Sequence, residues 1–432
     1  MATIPSLALI PSGYKASKVY SVLPTDGTGD FTFTRSGNAT RVNSEGLIEL
    51  VSTNVPRLNY PLIDGVVSGC PSLLLELQRL QLIQYSEDFD NAYWTNTEAS
   101  TVSANVGVSP DGYTNADKLI PQATSNFHRL SRSFTVTTAT PYTFSAFVKR
   151  AGYDYFLIRT SDAANNNIGY DLLNGTVTYT ASGYTSFIEP YGNDWYRIGF
   201  VRSFTASSIT INFRPNPTII STNALDNFTG DGTSGGFVWG AQFEAGSYAT
   251  SYIPNFGTAL GVTRSAETCN NAGDVNTFND SEGVLFVEIE GNEDGTNKFI
   301  TISDGSIQNR VTIIFLSNNI VAQIRASNSE VFYQTTSGIS IENYNKIAVH
   351  YKTNQCKLFV NGFQIGSTDI LAAMPSNLSE LAFDSGSGAT PLYGNTKQIQ
   401  YFNTALNDSD LETLTSWDSF SDMAIGQLYT IE

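Results

Sequence analysis

Between residues 142 and 243 the chain never settles into a helical period. Short alternating runs follow one another instead: 142–148 (YTFSAFV), 153–159, 176–179, 195–201, 209–213 and 237–243. Alternation puts residues i and i+2 on one face, so each run reads as a strand with one buried side. A series of short strands cut off by turns, with no helix between them, leaves a chain little choice but to pack one antiparallel sheet on another. Asn174-Gly175 reads as a two-residue hairpin turn, because a type I′ turn needs positive φ at both positions. The fold class is therefore all-β, and the span 85–262 is expected to form a jelly roll.

The pattern returns further on. Runs 284–290, 311–316, 320–325, 346–351 and 357–360 alternate again, and Asn361-Gly362 supplies another hairpin turn. A second β-sandwich is expected over 282–407, after a polar, turn-rich stretch that reads as a linker. Residues 408–432 open with a short helix that Asn407 or Asp408 can cap, with acidic residues in its first turn. Residues 1–84 hold only short strands, 30–35 and 47–51 among them. A hairpin alone is marginal in water, so this hairpin-rich segment needs a partner, either the next domain or another subunit. The run 73–82 (LLLELQRLQL) fits a helix and a buried strand with a turn equally well.

Charge narrows the possible partners. Charged residues make up only 15% of the chain, and 40 acidic against 23 basic side chains leave a net charge of −17. Such a surface repels phosphate backbones and anionic headgroups, which argues against nucleic acid and membrane docking. No run of 18 apolar residues is present for membrane insertion, and the opening MATIPSLALIPSGYK makes a poor secretory signal. Cys70, Cys269 and Cys356 are isolated and only two histidines occur, so neither a zinc site nor a disulfide framework is implied, though one bridge stays open.

Three stretches carry a resemblance. Residues 33–43 (FTRSGNATRVN) with 46–49 (GLIE), then 71–76 (PSLLLE), then 85–89 (YSEDF) with Trp94, resemble a motif near the N-termini of tailed-bacteriophage tail and fibre proteins. Residues 239–244 (WGAQFE) and 250–254 (TSYIP), with 195–197 (WYR), resemble carbohydrate-binding-module-like jelly rolls of phage proteins. Residues 358–362 (LFVNG), 398–406 and 408–411 resemble laminin-G or concanavalin-A-like sandwiches. The resemblance implies a virion structural protein, a tail-fibre, head-fibre or capsid appendage assembled in the host cytoplasm. Residues 1–84 would dock it to other virion proteins or to sister subunits. It also implies a homo-oligomer, with a trimer as the family habit, and attachment to host-surface polysaccharide. A purely structural cementing role and a polysaccharide depolymerase are the alternatives.

Among candidate residues, Tyr153 and Tyr155 lie two apart in an expected strand, and their rings can stack on the CH faces of a sugar. Arg159 has the same parity. Gln242 and Glu244 share a strand face, expected to lie opposite Trp239 and Phe243, and can supply amide and carboxylate partners for hydroxyls. Asp226, Asn227 and Asp231 crowd a glycine-rich loop, as do Asn292, Glu293, Asp294 and Asn297. Such oxygen ligands could hold a structural calcium ion. Glu288 and Glu290 are i, i+2 on a strand, about 6.5–7 Å apart, a spacing that overlaps catalytic carboxylate pairs but that any such pair has. No GxSxG elbow occurs. His128 has no evident nucleophile beside it and reads as a surface or loop residue. His350 lies inside an expected strand and reads as a satisfied structural residue. The expectation is a protein that binds rather than an enzyme.

Overall fold

A computed structural model of the chain describes residues 4–97, 100–162, 166–224, 227–292, 295–317, 319–370 and 373–418. Among the described residues the regular structure is nearly all strand, with one helix, Asp408–Thr415, whose N-cap Asn407 accepts from the Asp410 amide. That helix is too short to cross a membrane.

Two β-sandwiches carry the bulk of the strands. In the first, a six-stranded sheet holds Thr95–Thr97, Arg129–Thr135, Ser208–Asn216, Tyr155–Thr160, Asn166–Asp171 and Thr176–Thr180, in that spatial order. A second six-stranded sheet faces it, with Gly235–Ala245 and Pro141–Ala151 at its centre. Phe144, Val148, Phe200 and Phe243 from one sheet meet Phe156, Ile211 and Phe213 from the other in a dry core. In the second sandwich a five-stranded sheet built on Lys298–Ser303 and Arg310–Leu316 packs on an eight-stranded one.

The eight-stranded sheet shows what becomes of the N-terminal segment. Strand Gly394–Phe402 pairs along one edge with Glu282–Gly291. Its other edge is shared by two strands from the start of the chain: Leu7–Leu9 opposite 399–401, and Ser72–Leu75 opposite 394–396. Arg57–Asn59 then adds to Ser72–Leu75. Leu7, Leu9, Phe31, Phe33, Leu73 and Leu75 are buried in the core of the second sandwich. The run 73–82 accordingly resolves as two strands, Ser72–Leu75 and Arg79–Gln81, and four consecutive buried residues in the first reflect cover on both faces. The stretch with a linker's composition carries strands as well. Val262–Arg264 pairs with Arg79–Gln81, and Thr268–Asn270 pairs with Phe31–Thr34.

Buried charge closes this junction. The Glu267 carboxylate accepts from Arg35 Nη1 at 2.8 Å, Arg57 Nε at 2.8 Å and the Glu76 amide at 2.9 Å, and also from Arg57 Nη2. Glu76 in turn meets Arg57 Nη1 at 2.6 Å and Arg264 Nη1 at 2.9 Å, and accepts from the Ser251 amide at 2.8 Å and hydroxyl at 2.6 Å. Arg35, Arg57, Arg264 and Glu267 are at most 1% exposed. Burial by itself would raise the Glu76 pKa, but Arg264 and Arg57 outweigh it and hold the carboxyl well below its usual range.

The two hairpin turns differ. Asn361 and Gly362 both take positive φ, 50° and 88°, and Val360 faces Phe363 across a two-residue turn. At Asn174-Gly175 only the glycine does, at 64°, and four residues separate Asp171 from Thr176. The Asp171 carboxylate caps that longer loop by accepting from the Leu173 and Asn174 amides. Cys70 is exposed, Cys269 and Cys356 are buried, and all three are free thiols.

Two outcomes follow from this interlock. Glu267→Ala strands Arg35 and Arg57 without their shared counter-charge and is expected to cost about 3–5 kcal/mol in urea unfolding. A loss below about 1 kcal/mol contradicts the network's role. Removing residues 1–84 strips eight core side chains, Val19 and Leu58 besides the six named above, worth about 1.5–3 kcal/mol each, at least comparable with a whole domain's net stability of about 5–15 kcal/mol. The truncated chain should lose the unfolding transition of the second sandwich in calorimetry; a retained transition contradicts the shared core.

Candidate functional site

Strands fix polar groups more firmly than loops do, so a sheet face that carries hydroxyls in register is a preorganised surface. The outward face of the first sandwich's sheet that holds Arg129–Thr135 and Ser208–Asn216 is of this kind. In Ser208–Asn216, Ile209, Ile211 and Phe213 alternate into the core, which turns Thr210 and Asn212 outward. The neighbouring strand places Ser131 opposite Asn212 and Ser133 opposite Thr210. Ser131 Oγ donates to Asn212 Oδ1 at 2.8 Å, the Ser133 and Thr210 hydroxyls lie 2.8 Å apart, and the Thr210 amide donates to Ser161 Oγ at 2.8 Å. With Arg129 these residues line an open groove of about 310 Å³, flanked by Thr95 and Arg132. Ser133 and Ser161 are exposed on its floor and wall. Arg132 stacks on Tyr93 at 3.8 Å and donates from Nη1 to the Tyr93 carbonyl.

The same sheet face carries Tyr153, Tyr155 and Arg159, beneath a short ribbon in which Ser125–Asn126 pairs with Phe228–Thr229. The strand starts at Tyr155 rather than Tyr153, because Gly152 turns the chain at φ 115°. Tyr153 stands edge-on to Phe228, ring centroids 6.0 Å apart, and Tyr155 packs against Phe127, Leu157 and Ile220. Both rings are half-buried, so they support the ribbon more than they offer an open stacking platform. Arg159 is 5% exposed and donates from Nη1 to Asn167 Oδ1 at 2.7 Å. Its pKa is lowered, first by burial and then by the charge of Arg129.

Gln242 and Glu244 lie elsewhere. They belong to the opposite sheet, on the outer side of the sandwich, and are fully buried. Gln242 Nε2 donates to Glu244 Oε1 at 2.7 Å, Gln242 Oε1 accepts from the Ile253 amide at 2.7 Å, and Glu244 accepts from the Thr250 amide and hydroxyl at 2.9 and 2.7 Å. These two side chains therefore fasten the segment 250–253 onto the sheet. Trp239 shares their face, contrary to simple alternation. A bulge at Gly240, φ 59°, shifts the pairing so that Trp239 faces Phe147 and Gln242 faces Ser145, while Phe243, unlike Trp239, points into the main core.

Asp226 lies outside the described residues. Asp231 accepts from the Thr233 amide at 2.7 Å and from the Ser234 amide and hydroxyl at 2.6 Å, bonds that close a turn and hold its carboxyl well below the usual range. Glu293 and Asp294 also lie outside the described residues. Among the described residues no group of three or more His, Cys, Asp or Glu side chains is placed to hold a metal ion. His128 is buried rather than on the surface, with Nε2 2.9 Å from the Thr124 and Phe228 carbonyls. His350 is buried as well, but its Nδ1 has no hydrogen-bond partner among the described residues, and burial lowers its pKa.

Glu288 and Glu290 sit on the outer face of the eight-stranded sheet, with a pairing shift just after Glu288. Gln398 Nε2 donates to Glu288 at 2.8 Å, and Asn395 Nδ2 donates to Glu290 at 2.7 Å. Neither lines the groove. Burial pushes the Glu290 pKa up to about 7. A raised carboxylate pKa favours the folded state below the ordinary carboxylate range, and that contribution is lost as pH rises through the folded value.

No family model matches the chain, and no curated protein matches it. Solved structures resemble parts of it. The CBM40 of the Ruminococcus gnavus IT-sialidase, bound to alpha2,3 sialyllactose, is 15% identical over 32% of this chain and 84% of that one, at a TM-score of 0.29. Domain 4 of a GH43 arabinanase from Geobacillus stearothermophilus, in complex with arabinotriose, is 14% identical over 35% and 73%, at 0.28. Domains LG4-5 of the mouse laminin alpha1 chain are 8% identical over 77% and 95%, at 0.23.

Glu290→Gln should flatten the fall in stability between about pH 5 and about pH 7.5, followed as the urea midpoint. An unchanged slope would show that Glu290 does not titrate with folding.

Proposed function

We propose that this chain is a non-enzymatic attachment protein of a tailed-bacteriophage virion, and that it binds host-surface saccharide in the groove on the first sandwich. The observation that carries the binding reading is the groove itself. It sits on paired strands, its volume of about 310 Å³ lies within the range of small-ligand sites, and it presents side-chain hydroxyls and an amide in fixed register. Adjacent strands about 4.8 Å apart give a spacing on which the hydroxyls of a pyranose can find several partners at once. Such contacts are individually weak in water, so the working mode is multivalent: many copies on one particle, assembled as homo-oligomers, turn weak contacts into avidity.

The virion role is supported by the N-terminal resemblance. The virion-facing surface is assigned to the N-terminal segment, where Ile4, Ile10, Tyr20 and Val22 are exposed apolar side chains of the kind that partner subunits cover.

The test is a screen of the full chain against bacterial surface polysaccharides, with Ser133→Trp as the groove-filling variant. Ser133 is exposed, so the bulky ring is expected to leave the fold intact. Saccharide binding that falls at least about tenfold in the variant, roughly 1.4 kcal/mol, supports the groove. Full binding by the variant moves the site elsewhere. Silence of the wild-type chain across the screen favours a cementing role, and sustained release of oligosaccharide would make the protein a depolymerase.

A further inference from the structure

A cavity of about 150 Å³ lies away from the groove, where the three parts of the chain meet. Thr40 and Asn59 of the N-terminal segment, Tyr191, Arg197 and Ala249 of the first sandwich, and Asn395 of the second all line it. None of its lining residues is acidic, in a chain of net charge −17, and two, Arg41 and Arg197, are basic. Arg41 has a counter-charge, since its Nε donates to Glu49 at 2.6 Å. Arg197 is held differently. In Trp195–Ser203, Ile198 and Phe200 point into the core, so Arg197 falls on the outer face. There it is 5% exposed. Its Nε and Nη2 donate to the Ser145 hydroxyl at 3.2 and 3.0 Å, and Nη2 donates to the Thr250 carbonyl at 2.8 Å.

These bonds use three of the five guanidinium N–H groups, all on neutral partners. Nη1 keeps two, with no carbonyl or carboxylate acceptor among the described residues. Glu189 stands opposite Arg197 on the neighbouring strand, yet forms no ion pair with it. Glu49 and Glu76, which flank the cavity, are both bonded to other arginines. A buried charge with neutral partners alone is costly, and a counter-ion relieves that cost. Two neutral donors stand on the same lining. Asn59 Oδ1 accepts from the Val42 amide at 2.8 Å, which leaves its Nδ2 without a protein acceptor among the described residues. The Tyr191 hydroxyl neighbours the guanidinium. Burial pushes its pKa up to about 12, against the pull of Arg197, so it keeps its proton at neutral pH.

We infer that this cavity binds a small monocarboxylate anion, with one oxygen on Arg197 and the other on the neutral donors Asn59 and Tyr191. A water takes about 30 Å³ of liquid, so the space suits an anion of about four to six non-hydrogen atoms, the size of acetate or lactate. A charge-assisted bond to the guanidinium supplies most of the attraction. Arg197 offers a single charge, and Glu49, Glu76 and Glu189 disfavour a second negative one, which selects a monoanion over phosphate. An anion seated there touches all three parts of the chain and stabilises their junction by mass action. The site is independent of the saccharide groove.

The probe is acetate, titrated into the full chain with ionic strength held constant by chloride. Binding is followed by saturation transfer to the acetate methyl protons, and thermal unfolding reads the stabilisation. Saturable binding and a midpoint that rises with acetate are expected, with no displacement by equimolar phosphate. Arg197→Met should weaken acetate at least about tenfold. Ala249→Leu, which fills the cavity and keeps the guanidinium, should do the same and reads the site even if Arg197→Met fails to fold. Ser133→Trp, in the groove, should leave acetate binding unchanged. Absence of saturable binding overturns the inference, as does full binding by Ala249→Leu, which would place acetate elsewhere on the surface. Displacement by equimolar phosphate overturns the preference for a monocarboxylate.

Discussion

Glu267 holds its carboxylate out of reach of water between two guanidiniums, Arg35 and Arg57, that lie 232 and 210 residues earlier in the chain. Placing these charges in the interior is costly, and they repay that cost only when every partner is present with good geometry. Here the partners come from five separate segments: the end of Phe31–Thr34, strand Arg57–Asn59, the residue after Ser72–Leu75, the end of Val262–Arg264, and the turn before Thr268–Asn270. Ser251, which follows the last long strand of the first sandwich, completes the set by bonding to Glu76. The network therefore ties the exit of the first sandwich to the entry of the second and to the start of the chain. A half-made set would leave a bare charge in a dry core, so the junction closes as a whole.

That junction shapes the rest of the molecule. The N-terminal segment supplies two strands to one edge of Gly394–Phe402 and eight apolar side chains to the core behind it. It is a structural part of the second sandwich, whatever else its exposed face meets. The groove lies on the sheet of the first sandwich that holds Ser208–Asn216, whereas Gln242 and Glu244 act on the opposite sheet, where they hold the segment that leads to Ser251. Burial on one outer face of the sandwich thus serves assembly, and openness on the other leaves room for a ligand.

Local patterns were legible in the sequence; long-range ones were not. Alternation over 209–213 reveals a strand, and its odd positions do fill the core. The even positions, Thr210 and Asn212, are the groove residues, and the same alternation could have found them. Their partners Ser131 and Ser133 sit in a strand (RLSRSFT) too polar for alternation to stand out. Asn361-Gly362 forms the expected turn, but Asn174-Gly175 does not, since the nearby Asp171 offers its carboxylate to a longer loop. The face of Trp239 was misread because one bulge at Gly240 inverts the parity that follows it. The ion network has no periodic signature at all: Arg35 and Glu76 fall within the stretch that resembles phage proteins, while Arg57, Arg264 and Glu267 fall outside it. Strand pairing of the N-terminal segment with residues 394–402 was equally hidden, because nothing local specifies a partner so far along the chain.

The most direct measurement of an attachment role centred on the groove is hydrogen exchange of the intact chain with and without a bound host-surface polysaccharide. Protection is expected in Arg129–Thr135 and Ser208–Asn216, the strands that form the groove, with the second sandwich unchanged. Slowed exchange confined to other strands, or none at all when the polysaccharide is bound, would contradict it.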